Sequence, residues 1–117
     1  MRHLKKGKKF NRQKSDRRAF MKGLVSNLIL KEHMETTEAR AKAIRPEVEK
    51  LITIGRTQSL SSLRLLLARI PSKKIAEKLY YEIAPRYKDR AGGYTRISKT
   101  SKVRKRDGVK IARIEFV

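Results

Sequence analysis

Residues 94–117 read YTRISKTSKVRKRDGVKIARIEFV, and this C-terminal stretch decides the fold class. Asp107-Gly108 is a strong signal for a tight turn between two strands. Residues 94–103 tend toward alternation and are rich in Thr, Ile and Val, and residues 109–117 read as the return strand. The pattern therefore predicts a β-hairpin over about 94–117. Because an isolated hairpin is marginally stable, another strand or a helix face must cover it.

Upstream of the hairpin, apolar residues recur at helical spacing in four segments. Capping residues, Gly or Pro bound these segments: Ser15 onward for about four turns, Thr37 to Gly55, Ser59 or Ser61 to Pro71, and Ser72 to near Pro85. Pro46 lies inside the second segment and is expected to kink or divide that helix, because proline removes a backbone donor. HMETTE (33–38) is a candidate edge strand. The sequence therefore predicts helices followed by a hairpin, with residues 15–117 forming one domain.

The charge of the chain is large and unevenly placed. Its 32 Lys and Arg residues against 11 Asp and Glu residues give a net charge of +21. Residues 1–31 hold eleven basic residues and one acidic residue, and residues 86–117 hold eleven and three, whereas the middle is nearly balanced. Residues 1–14 have few apolar groups, so self-repulsion should keep them as an extended basic arm. A charge this large points to a polyanionic partner.

Catalysis and metal binding find little support in the sequence. Cysteine is absent, so no disulfide framework or thiolate metal site is expected. His3 and His33 are the only histidines, and their spacing fits no zinc pattern. Glu32, Glu35 and Glu38 are spaced by three, but local salt bridges or a helix cap explain them more simply than acid–base chemistry. We therefore expect no enzyme activity, no cofactor and no small-molecule substrate.

No membrane role is expected either. The chain contains no apolar run approaching the roughly 20 residues of a spanning helix. MRHLKKGKKF at the N-terminus has no apolar segment of the secretory type. The basic arm also lacks the apolar face of a helix that lies on a membrane surface.

The stretch RAGGYTRISKT (90–100) comes close to a phosphate-binding P-loop. The motif needs a second Gly where Ser98 stands, and it joins a strand to a helix, whereas here a strand pattern follows the glycines. Nucleotide hydrolysis is therefore rejected. Two interpretations remain open: Gly92-Gly93 is a bend that leads into the hairpin, or the bend also presents backbone, Tyr94, Thr95 and Arg96 to an RNA backbone.

Composition alone favours RNA over DNA only modestly. No recognition helix or zinc finger stands out, and extended cationic arms suit irregular RNA. Phe10, Tyr87 and Tyr94 lie among basic residues and are candidates for stacking on unpaired bases. A nucleoid-type DNA-binding protein, a solvated cationic surface and a protein-binding module built on the middle helices stay as alternatives.

A family resemblance adds to these observations. MRHLKKGKKFNRQKSDRRAFMKGLVSNLILKE, TTEARAKAIRPEVEKLITIGR, KLYYEIAPRYKDRAGGYTRI and the terminal IARIEFV together resemble bacterial large-subunit ribosomal protein seventeen over nearly the whole chain. The least typical part is SKTSKVRKRDGVK (98–110), where the family varies. The resemblance implies an α+β fold with about four helices on a small mixed sheet and a basic N-terminal extension.

The resemblance also implies a function and a place. The expected role is a structural constituent of the large ribosomal subunit in a bacterial or organellar ribosome, which supports its assembly and translation. The expected partners are large-subunit rRNA, near the exit of the polypeptide tunnel, and neighbouring ribosomal proteins.

Two surfaces are the candidates for RNA contact. The first basic surface follows the N-terminal arm onto the first helical turns: Arg2, His3, Lys5, Lys6, Lys8, Lys9, Asn11, Arg12, Lys14, Arg17 and Arg18. The second surface is the glycine bend with its flanking residues: Arg90, Gly92, Gly93, Tyr94, Thr95 and Arg96. Binding at both is expected to be electrostatic and to weaken steeply with salt.

Overall fold

A computed structural model describes residues 8–117. The helices and strands follow the chain in this order: α1 (Lys14–Lys31), β1 (His33–Thr37), α2 (Glu38–Arg56), α3 (Leu60–Arg69), α4 (Lys73–Lys78), β2 (Thr95–Val103) and β3 (Lys110–Phe116). A π-helical turn (Leu79–Ile83) and a 3-10 turn (Ala84–Tyr87) prolong α4. The α+β class, the four helices, the C-terminal hairpin and the strand at 33–38 are thus confirmed.

The sheet has three strands in the order β1-β3-β2, so β3 is central and β1 closes one edge. Both pairings are antiparallel, with Ile114 opposite Met34 on one side and Ile97 on the other. The expectation of a mixed sheet was therefore wrong for residues 8–117. The reason lies in the connections. A tight turn joins β2 to β3, which makes these two strands antiparallel, and β1, which follows α1, also runs opposite to β3.

One hydrophobic core joins the helices to the inner face of the sheet. Ala112 and Ile114 of β3 are fully buried, because alternate residues of this strand face the helices. The largest fully buried aliphatic side chains come from α1, α2, α3, the π-helical turn and β3: Leu28, Ile29, Ile44, Val48, Ile52, Leu66, Leu79, Ile83 and Ile114. The helical positions among them all lie within the four segments of helical spacing identified in the sequence.

Capping explains where the helices begin. Thr37 caps α2 by accepting a hydrogen bond from the backbone N–H of Arg40 at 3.3 Å. Ser59 caps α3 and exchanges side-chain hydrogen bonds with Ser62, which forms a capping box. The assignment of Ser15 as the cap of α1 was wrong, because that helix begins one residue earlier, at Lys14.

Helix α2 is continuous through Pro46, which the sequence analysis expected to kink or divide it. The helix is therefore not divided, and its apolar stripe is fully buried on both sides of the proline, at Ile44 and Val48, so tertiary packing stabilises both halves. Near its end, α2 approaches its neighbours closely. A Cβ atom on Gly55 would lie 3.0 Å from Cβ of Ala84 and 3.2 Å from Cδ1 of Leu66.

Glu32 joins α1 to the remainder of the fold. This residue adopts a left-handed conformation (φ 67°) and ends α1, and its carbonyl oxygen accepts a hydrogen bond from the N–H of Phe116 at 3.2 Å. Its carboxylate pairs with the guanidinium of Arg86 and lies 3.8 Å from Nζ of Lys78. The hydrogen bond from Arg86 lowers the pKa of the Glu32 carboxyl below its ordinary value. Glu32 is therefore a structural residue.

The other two glutamates of the spaced set also form salt bridges. Glu35 pairs with Lys102 at 3.1 Å, and Glu38 pairs with Lys42 at 2.9 Å, one turn further along α2. This agrees with the simpler of the two interpretations drawn from the sequence.

Candidate nucleic-acid interface

The first basic surface is described from Lys8 onward, and Arg2, His3, Lys5 and Lys6 lie outside the described residues. Before α1 the chain makes a turn in which Phe10 and Asn11 have positive φ angles of 51° and 54°. The N–H of Arg12 donates to the carbonyl oxygen of Lys9 at 3.1 Å across this turn. The ring of Phe10 then packs on Phe20 of α1, with 5.5 Å between centroids. This contact offsets the conformational cost of a bulky residue at positive φ.

Two guanidinium groups lie over the same aromatic ring. Cζ of Arg12 is 3.9 Å from the centroid of Phe20, and Cζ of Arg40 is 4.9 Å from it. Each cation–π contact of this kind contributes about 0.5–1 kcal/mol at an exposed site. The two cations are therefore held in place before any anion arrives, which reduces the entropy lost on binding.

The sequence analysis missed Arg40. Along the chain it lies apart from both basic segments, in the first turn of α2. The order of the elements is the one indication of its place: the short strand β1 connects α1 to α2, so the first turn of α2 lies beside α1. Only the packing of α2 against α1 reveals the contact with Phe20.

Further cations continue the surface along α1. Lys14 and Arg18 are exposed, and Arg17 is half-buried. Arg17 and Arg18 line an open depression with Lys22 and Glu47. Within residues 8–117, none of the three basic residues Lys14, Arg17 and Arg18 forms a salt bridge.

The second surface is built around the glycine bend. Gly93 has a φ of +62°, and Gly92 and Gly93 are both exposed. Arg90 is exposed; its Nε donates to the carbonyl oxygen of Gly92 at 3.2 Å, and its own carbonyl oxygen accepts a hydrogen bond from Arg56. The bend is thus closed by arginine hydrogen bonds while its backbone stays open to solvent.

Arg96 is exposed and is partly neutralised by an acidic neighbour. Nη2 of Arg96 lies 2.9 Å from Oε1 of Glu115, its register partner on β3. Nε of Arg113 lies 3.1 Å from the other oxygen of that carboxylate. Hydrogen bonds from Arg96 and then from Arg113 lower the pKa of the Glu115 carboxyl. Two cations share one anion here, so the site keeps a positive charge.

Tyr94 and Thr95 require a correction, because their side chains are buried at 1% and 3% exposure. The ring of Tyr94 packs on Tyr87, with 5.2 Å between centroids, and its hydroxyl accepts a hydrogen bond from Nη1 of Arg56 at 3.2 Å. The hydroxyl of Thr95 donates to Oε2 of Glu49 at 3.1 Å. Both side chains bind the hairpin to α2, so the expectation that they donate to RNA was wrong.

The stacking candidates change in the same way. Tyr87 is 3% exposed, and its hydroxyl donates to the carbonyl oxygen of Val117 at 2.9 Å. No base can reach the faces of Tyr87 or Tyr94 in this conformation. Phe10 is half-buried against Phe20 and is the one candidate of the three with accessible surface.

Nothing in the described part of the chain points to metal or membrane chemistry. Residues 8–117 contain no group of three or more His, Asp or Glu side chains that could hold a metal ion. None of the helices in this range has the length and apolar character that crossing a bilayer requires.

Comparison with known proteins identifies the family. The model of the family described as Ribosomal protein L17 matches residues 20–117. A protein of Sulfurihydrogenibium sp. (strain YO3AOP1) is 48% identical over 117 residues, which cover 100% of this chain and 97% of the relative. One of Persephonella marina is 48% identical over 118 residues, with 100% and 95% covered. One of Thermodesulfovibrio yellowstonii is 42% identical, with 100% and 87% covered. All three are named Large ribosomal subunit protein bL17.

These matches define the class of the chain as a structural ribosomal protein and not an enzyme. The chain belongs to the ribosomal protein L17 family and is a cytoplasmic component of the ribosome; its bacterial relatives are named as proteins of the large subunit.

Proposed function

We propose that this protein binds large-subunit rRNA through the first basic surface and through the exposed part of the second, Arg90, Gly92, Gly93 and Arg96. Lys and Arg side chains contact phosphate oxygens and displace counterions, and this contact supports assembly of the subunit and translation. The location in the subunit and the protein neighbours are inferred from the family: the protein lies near the exit of the polypeptide tunnel and contacts adjacent ribosomal proteins there.

The observation that carries the proposal is the pair of guanidiniums held over Phe20. Arg12 and Arg40 come from different segments of the chain and converge on one ring. Arginine presents a planar fork of donors that matches phosphate geometry. Lys14 and Arg18, both exposed, extend the same positive surface along α1. Neither guanidinium of the pair has an acidic partner within residues 8–117, so an external polyanion can supply the counter-charge.

The alternative, a nucleoid-type DNA-binding protein, rests on charge alone. Competition separates the two: duplex DNA at equal nucleotide concentration should fail to displace the protein from a structured large-subunit rRNA fragment. Displacement by the duplex would favour the alternative.

The main experiment compares double variants that each remove two cations. Arg17→Ala/Arg18→Ala tests the first basic surface, and Arg90→Ala/Arg96→Ala tests the second. Lys73→Ala/Lys74→Ala is the control, because these exposed lysines lie on α4, outside both surfaces. We measure the affinity for an rRNA fragment over a series of KCl concentrations.

Affinity falls with salt, so the plot of log affinity against log salt has a negative slope. Each test variant should make this slope shallower by about one to two, whereas the control should keep the wild-type slope. A wild-type slope for Arg17→Ala/Arg18→Ala would overturn the role of the first basic surface. Equal losses for all three variants would mean that only total charge matters.

A further inference from the structure

The distal half of the β2–β3 hairpin extends beyond the rest of the sheet. β1 pairs with β3 only from Ile111 to Glu115, so residues further toward the turn have only each other as strand partners. The inner face of the sheet ends at the pair Lys99 and Ala112, where a lysine stands in line with the buried positions. Residues 101–108 are all exposed. We call residues 99–110 the basic ribbon.

The turn of the basic ribbon is closed by its one acidic residue. Asp107 receives two hydrogen bonds from Arg104, Nε to Oδ1 at 3.1 Å and Nη2 to Oδ2 at 2.6 Å. Oδ1 of Asp107 also accepts from the N–H of Val109 at 3.3 Å. Gly108, with a φ of +64°, donates its N–H to the carbonyl oxygen of Arg104 at 3.0 Å. Asp107 is therefore used to fix the turn with Arg104 and pairs with no other cation of the ribbon.

The ribbon holds six basic residues against that single acidic residue. Lys102 reaches back to Glu35 of β1 at 3.1 Å. Lys105 and Arg106 are exposed at the tip and have no acidic partner within residues 8–117. A two-stranded ribbon with little apolar burial gains no stability from like charges at its tip. Its charge is explained by an external anion.

The root of the ribbon lies beside the N-terminal segment. Lys8, Lys42 and Lys110 line one open depression next to the first turn of α2, together with Glu38, which pairs with Lys42. The ribbon is therefore continuous with the first basic surface and extends it away from the helices.

We propose that the tip of the basic ribbon, Lys105 and Arg106 on the turn fixed by Arg104 and Asp107, is a further RNA-binding site that contacts the phosphate backbone of structured RNA. Residues 99–110 contain no aromatic, Asn or Gln side chain, so aromatic stacking and amide pairing with bases are not available to them. The exposed charges of Lys105 and Arg106 match phosphate oxygens, and contact with phosphates tolerates changes of sequence. This inference rests on the proposed rRNA binding and adds a further point of contact at the far end of the extended first basic surface.

The test compares Lys105→Ala/Arg106→Ala with Lys73→Ala/Lys74→Ala, which removes the same charge from α4. Affinity for a structured large-subunit rRNA fragment is measured over a KCl series, and hydroxyl-radical footprinting records which riboses each protein protects. The ribbon variant should make the negative slope of log affinity against log salt shallower by about one to two. It should also lose protection over one discrete segment of the RNA. The control should keep the wild-type slope and footprint.

The outcomes separate this inference from the proposed function. If the wild-type protein binds with salt-dependent affinity and the ribbon variant matches it in slope and footprint, the inference is overturned while rRNA binding stands. Equal slope losses for both variants, with an unchanged footprint, would also overturn it, because total charge would then explain the result. If the wild-type protein does not bind the fragment, the proposed function itself fails. Thermal unfolding of both variants should match wild type, since the substituted side chains are exposed.

Discussion

Removing the hydroxyl of Tyr94 decides whether this residue serves RNA or the core. Tyr94→Phe keeps the ring, which is 1% exposed and packs on Tyr87. It removes a hydroxyl that accepts a hydrogen bond from Arg56 at 3.2 Å and shares another with Oγ1 of Thr53 at 3.3 Å. Both partners keep other acceptors: Arg56 still donates to the carbonyl oxygen of Arg90, and Thr53 to that of Glu49. No buried donor is orphaned.

The expected cost follows from those contacts. A hydrogen bond contributes a net of about 0.5–1.5 kcal/mol, and the penalty for an orphaned buried group does not apply. Tyr94→Phe should therefore lower the free energy of unfolding by about 1 kcal/mol, which corresponds to a fall of roughly 3–6 °C in the thermal midpoint of a domain this size. Tyr94→Ala would remove the buried ring at a cost of about 3–5 kcal/mol, too large a share of the total stability to be informative.

The assay pairs thermal unfolding with rRNA binding, measured well below the unfolding midpoint. Tyr81→Phe is the control, since Tyr81 is 61% exposed and its hydroxyl makes no hydrogen bond within residues 8–117. Tyr94→Phe should lose stability and keep wild-type affinity, and Tyr81→Phe should keep its unfolding midpoint. A several-fold loss of affinity by Tyr94→Phe at an unchanged midpoint would refute the assignment of Tyr94 to the core.

Further predictions concern packing, acid stability and charge. Gly55→Ala should lower the unfolding midpoint, because overpacking costs about 1–3 kcal/mol and exceeds the helix-propensity gain of about 1 kcal/mol; Gly23→Ala, with no atom within 4 Å of the new Cβ, should raise it. The pKa of Glu32 is lowered in the fold, so its contribution is present above the unfolded pKa and is lost as the pH falls through the folded pKa; the stability gap between wild type and Glu32→Gln should close on acidification, and a gap that stays constant with pH would contradict this. Arg40→Ala should weaken rRNA binding and reduce its salt slope by about one, whereas Arg45→Ala, whose partner Glu49 already compensates its charge, should change the slope less. Added KCl should raise the unfolding midpoint of the free protein, because it screens the repulsion within a chain of net charge +21. A midpoint that falls over the KCl series that weakens RNA binding would contradict this.

Local signals in the sequence located most of the elements. Asp107-Gly108 placed the hairpin turn, and Thr37 and Ser59 marked the starts of α2 and α3, because turns and caps depend on a few adjacent residues. Pro46 does not divide α2, because burial of the stripe around it outweighs the loss of one backbone hydrogen bond. The sheet is antiparallel throughout because β1 runs opposite to β3, and no local sequence pattern indicates the direction of β1 relative to β3.

The candidate site was harder to predict than the fold. Period-two alternation shows which residues share a face of a strand but not which face the helices cover. Tyr94 and Thr95 stand among arginines and glycines in the sequence, and only the position of α2 shows that their side chains point inward. Arg40 shows the opposite error, since it lies far from the basic segments along the chain and joins their surface in the fold.

The placement of the few acidic residues divides the cations into two groups. Glu32, Glu38 and Glu49 each neutralise a cation where elements meet or along a helix, so these pairs hold the fold. Within residues 8–117, Arg18 at the start of α1 and Arg106 at the tip of the ribbon form no salt bridge with an acidic side chain. Exposed ion pairs contribute only about 0–1 kcal/mol each, so the fold could spare several cations without loss. The unpaired cations are therefore explained by the partner, because they lie on exposed surfaces that a polyanion can approach.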